Sequence, residues 1–334
     1  MRKYLLPESG SFYKANLHCH SVISDGHLTV EEIKEQYKAH GYSVVAFTDH
    51  DVLIPHNDLT DENFLALNGY EMEINGEGGK TCHLCYIALE NGNFRQVCWH
   101  RSAYLFGNAP KYRDKVEFVN EPDYIRNYDH MCINDMIKKG REHGFFVTYN
   151  HPVWSLEDYP EYIGYDGMNA MEICNYGCFI EGYPEYDSKV YDDMLRAGKR
   201  IYCIGADDNH NHRPQDDPKY DSFGAFIMIK ADKLEYRTVT GAMEKGFFYA
   251  SQGPEIKSLW YEDGRIFIET SPAFRIDFSY GVRRAESYVA GDGKYVEKAS
   301  ALVPKDCIYV RVTVTDERGR HANTNAYFTD DLNL

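Results

Sequence analysis

Positive charge is scarce in this chain. Its 334 residues include 36 Lys and Arg against 52 Asp and Glu, a formal net charge of −16 at pH 7. A surface for extended nucleic acid needs cations to neutralise phosphates, so the charge argues against a long polynucleotide as the partner. Long hydrophobic runs are also missing, and none approaches the ~20 apolar residues of a membrane-spanning helix. The opening MRKYLLPESGSFYK has basic residues but only Leu5 and Leu6 as an apolar stretch, and is not read as a secretory signal. The nine cysteines are odd in number and scattered, which favours a reducing cytoplasm over a disulfide framework. Cys82 and Cys85 form one CxxC with no second pair to complete a structural zinc site. The glycines of NGEGGK (75–80) lack the spacing of a phosphate-binding loop.

What is present is a soluble composition, 43% hydrophobic and 26% charged, long enough for a large catalytic domain and a smaller one. Alternating polarity predicts a strand over 14–21 (KANLHCHS). Thr29 followed by Glu32 forms a capping-box start for a helix that Gly41 ends. The run YSVVAFT (42–48) is a second strand, stopping at Asp49. Further strands are expected around Glu71 and His83, and at FFVTYN, MEICNY, RIYCIGADDNH and FGAFIMIKA, with helices over 132–144, 187–199 and 238–246 between them. Repeated β–α alternation predicts an α/β fold, a parallel barrel or a wound sheet, with chemistry at the C-terminal strand ends. From residue 252 the helices cease and short alternating strands separated by DG, YG and RG turns predict a small all-β sandwich-type domain. The expected division is therefore 1–251 and 252–334. Residues 91–128, rich in Tyr, Arg and Asn, read as an excursion over the site.

Chemistry gathers at those strand ends. His18 and His20 share one face of an extended strand while Cys19 points away, and Asp25 follows on a turn. Two imidazoles and a carboxylate suit a divalent ion, although a lone HxH is more often structural. Thr48-Asp49-His50-Asp51 ends an apolar strand, where ionisable groups are costly to bury unless paired or metal-bound. Glu71 and His83 lie on neighbouring strands, with Glu73 competing with Glu71. His151 follows FFVTYN. In GADDNH, Asp208 and His210 repeat the i, i+2 geometry, and Asp207 competes with Asp208. His212 and Arg213 follow as candidate contacts for a substrate phosphate, against the plainer reading of a solvated turn. Glu172 and Asn175 are expected to orient ligands from behind.

The order HCH with SDG, TDHD, GYE with a later His, NHP and DNH resembles the PHP family (polymerase and histidinol phosphatase domains) over residues 14–250. GFFYASQGPEI and the β region ending in YVRVTVTDERGRHANTNAY further resemble its carbaryl-hydrolase-like branch. The resemblance implies a distorted (β/α)7 barrel holding two or three divalent ions, Zn, Mn or Fe. It places His18, His20, Glu71 and Asp208 on one ion. Glu71, His83 and His151 would hold a second, and Asp25, His50 and His210 a third. The expected function is a metal-dependent phosphoesterase acting on a small phosphorylated substrate. Its nucleophile would be a hydroxide bridging two cations, with Asp25 and His210 assisting proton transfer where the third ion is absent. The same centre could instead hydrolyse a carbamate, ester or amide. A non-catalytic binding module is the reading from outside enzymology, and loss of ligands would be its mark.

Overall fold

A computed structural model describes residues 2–332. Strand β1 (Lys3–Tyr4) precedes β2 (Ser11–Asn16), which carries the HCH motif at its exit. Helix α1 (Val30–Ala39) begins at the expected capping box, with the Thr29 side chain accepting from the Glu32 N–H and Glu32 answering at the Thr29 N–H. It buries Ile33 and Tyr37 and leads to β3 (Val44–Phe47). No α-helix intervenes before β4 (Leu65–Asn75), and β4 turns directly into β5 (Thr81–Ala88). After the 91–128 excursion, α2 (His130–Glu142) leads to β6 (Phe145–Tyr149). Gly140 lets that helix lie against β5, since a Cβ there would fall 2.4 Å from the Tyr86 ring. Next come α3 (Tyr159–Tyr162), β7 (Ala170–Asn175), α4 (Tyr176–Glu181), α5 (Ser188–Arg196), β8 (Tyr202–Ala206), β9 (Phe226–Ala231), α6 (Tyr236–Glu244) and β10 (Phe248–Ser251).

The remainder is all strand: β11 (Ile256–Glu262), β12 (Arg265–Ala273), β13 (Arg275–Ser279), β14 (Ala285–Val289), β15 (Val296–Leu302), β16 (Tyr309–Thr315), β17 (His321–Thr324) and β18 (Tyr327–Phe328). Two sheets result. One has four strands in the order β1-β11-β12-β15. The other has fourteen strands, with the path β14-β13-β16-β17-β10-β9-β2-β3-β4-β5-β6-β7-β8 and β18 beside β16. Ile256, Leu259, Ile266 and Ile268 of the small sheet share a core with Ile276, Phe278, Val310, Val312 and Val314 of the large one. No helix among the described residues is long and apolar enough to cross a membrane.

The expected (β/α)7 barrel is not formed as a continuous ladder. β2–β3–β4 and β6–β7–β8 are parallel, but β4–β5, β5–β6 and β2–β9 are antiparallel. The tight β4–β5 connection through Gly76–Lys80 leaves no chain for a crossover helix, and a hairpin can only be antiparallel. At the other end, β2 pairs with β9 from Ser11 to Ala15. Its exit meets that of β8 through a single parallel bridge, Cys19–Asn209, with bonds of 3.1 Å from the His20 N–H to the Asn209 carbonyl and 3.0 Å from the Asp208 N–H to the His18 carbonyl. The motif-bearing ends of β2 and β8 are thereby brought together without a closed barrel.

A buried ion pair ties the helical region to the C-terminal strands. Arg311 on β16 donates twice to Asp192 on α5, at 2.8 Å each, and the Tyr309 hydroxyl donates to the same carboxylate at 2.6 Å. Asp192→Ala would leave the buried Arg311 guanidinium without its partner carboxylate. The expected loss is about 3–5 kcal/mol of unfolding free energy, read by chemical denaturation.

Candidate metal centre

Local structure explains how the donors are presented. At the exit of β2, Cys19 packs into the core beside Phe47 while His18 and His20 turn to the opposite side. The next turn is fastened by Asp49, whose carboxylate accepts from the Ser21 and Ser24 N–H groups (2.8 and 3.0 Å) and from both hydroxyls (2.8 and 2.7 Å). Asp49 is thus a staple for the turn that presents Asp25. Gly26 completes it, because a Cβ there would lie 2.6 Å from the His20 carbonyl oxygen. His151 and Asp208 follow their strands with positive φ, 27° and 52°. Non-glycine residues in that region are uncommon and strained, and such strain concentrates where function needs a fixed geometry.

The tightest group is His18, His20, Glu71 and Asp208. The Nε2 atoms of His18 and His20 are 3.1 Å apart, each 3.1 Å from Asp208 Oδ1 and 3.2 Å from Glu71 Oε2. Ligands about 2.1 Å from a tetrahedral ion lie about 3.4 Å from one another, close to this spacing. Glu71 Oε1 continues to His83 Nδ1 at 3.0 Å and His151 Nε2 at 3.5 Å. Asp25, His50 and His210 form a third group with His20. Asp25 Oδ2 is 3.3 Å from His210 Nε2 and 3.8 Å from His50 Nε2, and Asp25 Oδ1 is 3.6 Å from His20 Nδ1.

Hydrogen bonding does not satisfy this cluster. His20 Nδ1, His50 Nδ1, His83 Nε2 and Asp208 Oδ1 are buried with no hydrogen-bond partner, an arrangement that costs free energy unless something else fills it. Burial opposes charge on His18 and His20, yet the neighbouring Asp208 and Glu71 carboxylates outweigh it and lift both pKa values well above the ordinary histidine value. Burial raises Glu71 and Asp208, but the histidines overcome it and hold both well below the usual carboxylate range. His50 is driven the other way, to about 3, by burial and by its neighbour His20. Carboxylates drawn this strongly toward positive charge, beside three imidazole nitrogens and one Asp208 oxygen without hydrogen-bond partners, fit divalent cations with mixed N/O ligands.

All nine sequence candidates converge here. Asp207 turns the other way, accepting from the Phe223, Gly224 and Ala225 N–H groups at 2.8, 2.9 and 3.0 Å and from Tyr37 at 2.9 Å. Asp208 is therefore the acid in the cluster. Glu71 is buried at its centre, whereas Glu73 is 30% exposed, with its carboxylate 4.0 Å from His83 Nε2. Glu172 stands behind, accepting from His18 Nδ1 at 2.8 Å, the His151 N–H at 3.0 Å and Asn175 Nδ2 at 2.9 Å. Such a carboxylate fixes the histidine tautomer and ring. Glu172→Gln is expected to weaken metal binding about 10–100-fold, measured by competition with a chelating dye.

A cavity of about 680 Å³ opens over the cluster. Its lining includes His212, Arg213 and Lys219 as well as Phe106, Trp154, Ile180 and Tyr183. His212 stacks on His210 at 5.6 Å, while Arg213 Nη1 lies 3.5 Å from Asp217. Several residues here were not singled out from sequence. Asn150, inside the quoted NHP, donates to Glu71 Oε1 at 3.0 Å. Arg126 reaches from the 91–128 excursion to Asp51 at 2.5 Å, and Tyr104 covers its guanidinium at 4.4 Å. The excursion thereby carries Phe106 to the cavity wall, a placement no local pattern signals.

The sequence profile of the PHP domain matches residues 16–143, less than half of the chain. No curated protein matches. Among solved structures, a two-domain protein from Bacteroides vulgatus is described as containing a predicted PHP-like metal-dependent phosphoesterase. It is 15% identical, with a TM-score of 0.45, covering 97% of this chain and 90% of that one. A protein from Bifidobacterium adolescentis, described as a metal-dependent phosphoesterase, is 16% identical, with a TM-score of 0.39 over 64% of this chain and 91% of that one. An amidohydrolase from Chromobacterium violaceum with bound sulfate is also 16% identical, with a TM-score of 0.38 over 62% of this chain and 93% of that one.

Proposed function

We propose that the chain is a PHP-type metal-dependent phosphoesterase acting on a small phosphorylated molecule. The observation that carries this reading is the convergence of His18, His20, Glu71 and Asp208 on one point, where Asp208 Oδ1 has no hydrogen-bond partner. The PHP profile match over residues 16–143 supports it. His18, His20, Glu71 and Asp208 would hold one ion and Glu71, His83 and His151 a second, the metals being Zn, Mn or Fe. Bound there, divalent ions would acidify a water and polarise a phosphoryl oxygen, so that no Ser or Cys nucleophile is required.

The chain's own residues would do the rest. Glu71 sets the separation of the two donor groups by offering one oxygen to each. Asp25 Oδ2 and His210 Nε2 lie 3.3 Å apart at the cavity. Burial and His20 work against a proton on His210, but the Asp25 carboxylate overcomes them and raises its pKa. His210 Nε2 would then hold the proton for the leaving oxygen, unless a third ion occupies Asp25, His50 and His210 with His20. His212 and Arg213, joined by Lys219, would neutralise substrate charge outside the metal cluster. Residues 1–251 would be the catalytic unit and 252–334 the all-β unit, with β1 added to the latter. Nine unpaired cysteines support a cytoplasmic setting.

A second reading is favoured by the presence of Phe106, Trp154, Ile180 and Tyr183 in the cavity lining. It suits an apolar group, as in hydrolysis of a carbamate, ester or amide by the carbaryl-hydrolase-like branch. The test is elemental analysis of the purified protein, followed by assays on 4-nitrophenyl phosphate, its bis ester and 4-nitrophenyl acetate. A variant carrying His18→Ala and His20→Ala is measured beside it. Two or three ions per chain, with phosphate-ester turnover lost in the variant, is the expected result. Metal with carboxyl-ester turnover alone selects the second reading. Absence of metal after reconstitution with Mn²⁺ or Zn²⁺ overturns both and leaves a binding module.

A further inference from the structure

The stretch from Gln96 to Arg126 meets the third donor group or its immediate neighbours at three places. The Phe106 ring stands edge-on to the His50 ring, with centroids 5.8 Å apart. The Asn108 N–H donates to the Ser24 carbonyl at 2.6 Å, and Asn108 Nδ2 to the Val22 carbonyl at 3.1 Å, on the turn that presents Asp25. Gly107 permits this approach. It adopts φ +55°, and a Cβ there would fall 2.3 Å from the Ser24 carbonyl oxygen and 3.2 Å from the Asp25 Cβ. At the far end, Arg126 is buried against Asp51, the residue after His50, and donates to the Glu73 carbonyl at 2.8 Å. We infer that this stretch is a positioning element, and that Asp25, His50 and His210 take a divalent ion only while Gly107, Asn108 and Arg126 hold it in place. The inference rests on reading the cluster as a metal centre.

Asp51 shows why a clamp is needed. It is a non-glycine residue with φ 61°, a strained backbone that persists only where its surroundings over-determine it. Its N–H donates to the Glu71 carbonyl at 2.7 Å, and its own carbonyl accepts from Gln96 Nε2 at 2.8 Å. Both ends of the stretch, Gln96 and Arg126, therefore close on one residue, and His50 precedes it directly. The third group also lies at the open edge of the cluster. The Asp25 and His210 side chains are 19% and 22% exposed, against 1% for His18 and Glu71. Other donors are fixed from the strands themselves. Glu172 on β7 holds His18 and the His151 N–H, and β4–β5 pairing carries Glu71 and His83. Removing the support behind a ligand weakens its ion selectively, and here that support belongs to one donor group.

The test uses metal-free wild type, Gly107→Ala, and a double variant carrying Asp51→Asn and Arg126→Met. The double variant removes both charges together, so neither is left buried alone. Each protein is loaded with Mn²⁺, and the ions kept through gel filtration are counted by elemental analysis. Wild type is expected to hold three ions and each variant two, the third being weakened about 10–100-fold. Gly107 lies on an exposed turn, so metal-free Gly107→Ala should unfold at the wild-type temperature. Three ions retained in either variant overturns the inference, and so does the loss of more than one. A lowered unfolding temperature of metal-free Gly107→Ala alongside its lost ion also overturns it, because the role is then merely structural. A wild type that holds fewer than three ions overturns it as well. Phosphate-ester turnover is measured separately. Three ions with no such turnover in wild type would sink the phosphoesterase reading and leave this inference standing.

Discussion

Replacing Glu71 with glutamine should lower phosphate-ester turnover by about a thousandfold and reduce the number of metal ions retained through gel filtration. The magnitude follows from several kcal/mol of Lewis-acid stabilisation at tenfold per ~1.4 kcal/mol. One oxygen of this carboxylate lies 3.2 Å from both His18 and His20 and 3.3 Å from His50, and the other lies 3.0 Å from His83. With His151 at 3.5 Å, a single group therefore faces five imidazoles, and glutamine keeps its shape while removing its charge and half of its acceptors. The far-ultraviolet spectrum should be unchanged. Turnover within threefold of wild type, with the metal count intact, would refute a bridging role for Glu71.

The adjacent acids Asp207 and Asp208 should separate cleanly when each is changed to alanine. Asp208→Ala is expected to lose metal and activity, with stability close to that of wild type once both are compared metal-free. Asp207→Ala is expected to cost about 3 kcal/mol or more, because three backbone N–H groups lose their acceptor and each buried orphan costs ~1–3 kcal/mol. Equilibrium denaturation and metal analysis of the two variants check the pair. The assignment of Asp208 to the cluster fails if Asp207→Ala is the variant that loses metal while keeping its stability.

Most of the site was legible because its residues sit where a strand stops. The i, i+2 spacing of His18 and His20 and of Asp208 and His210 would put each pair on one face of an extended chain, and all four meet in the cluster although Asp208 itself leaves the strand with φ 52°. Ambiguity remained wherever face alone had to decide. Glu71 and Glu73 point the same way, and depth along β4 separates them, which depends on β3 and β5 rather than on local pattern. Asp207 and Asp208 were distinguished by a loop, Phe223–Ala225, that offers its N–H groups only once folded. The barrel expectation failed for a related reason. Alternating strands and helices report local periodicity, whereas the direction in which β5 pairs with β4 is set by a connection of five residues, Gly76–Lys80. The role of Arg126 was invisible because Asp51 lies 75 positions away in the chain.

The fourteen-stranded sheet passes without interruption from β2 through β9 and β10 to β17, while β1 returns to pair with β11. Cutting the chain after Ser251 would thus strip β10 of β17, one of its two hydrogen-bonded neighbours, and expose a row of unpaired backbone groups. Such an edge invites pairing with other molecules and aggregation. The C-terminal strands therefore act as an edge guard for the sheet that presents His18 and His20. Any attempt to isolate the metal-binding half for crystallisation or engineering should retain β16 and β17 along with it.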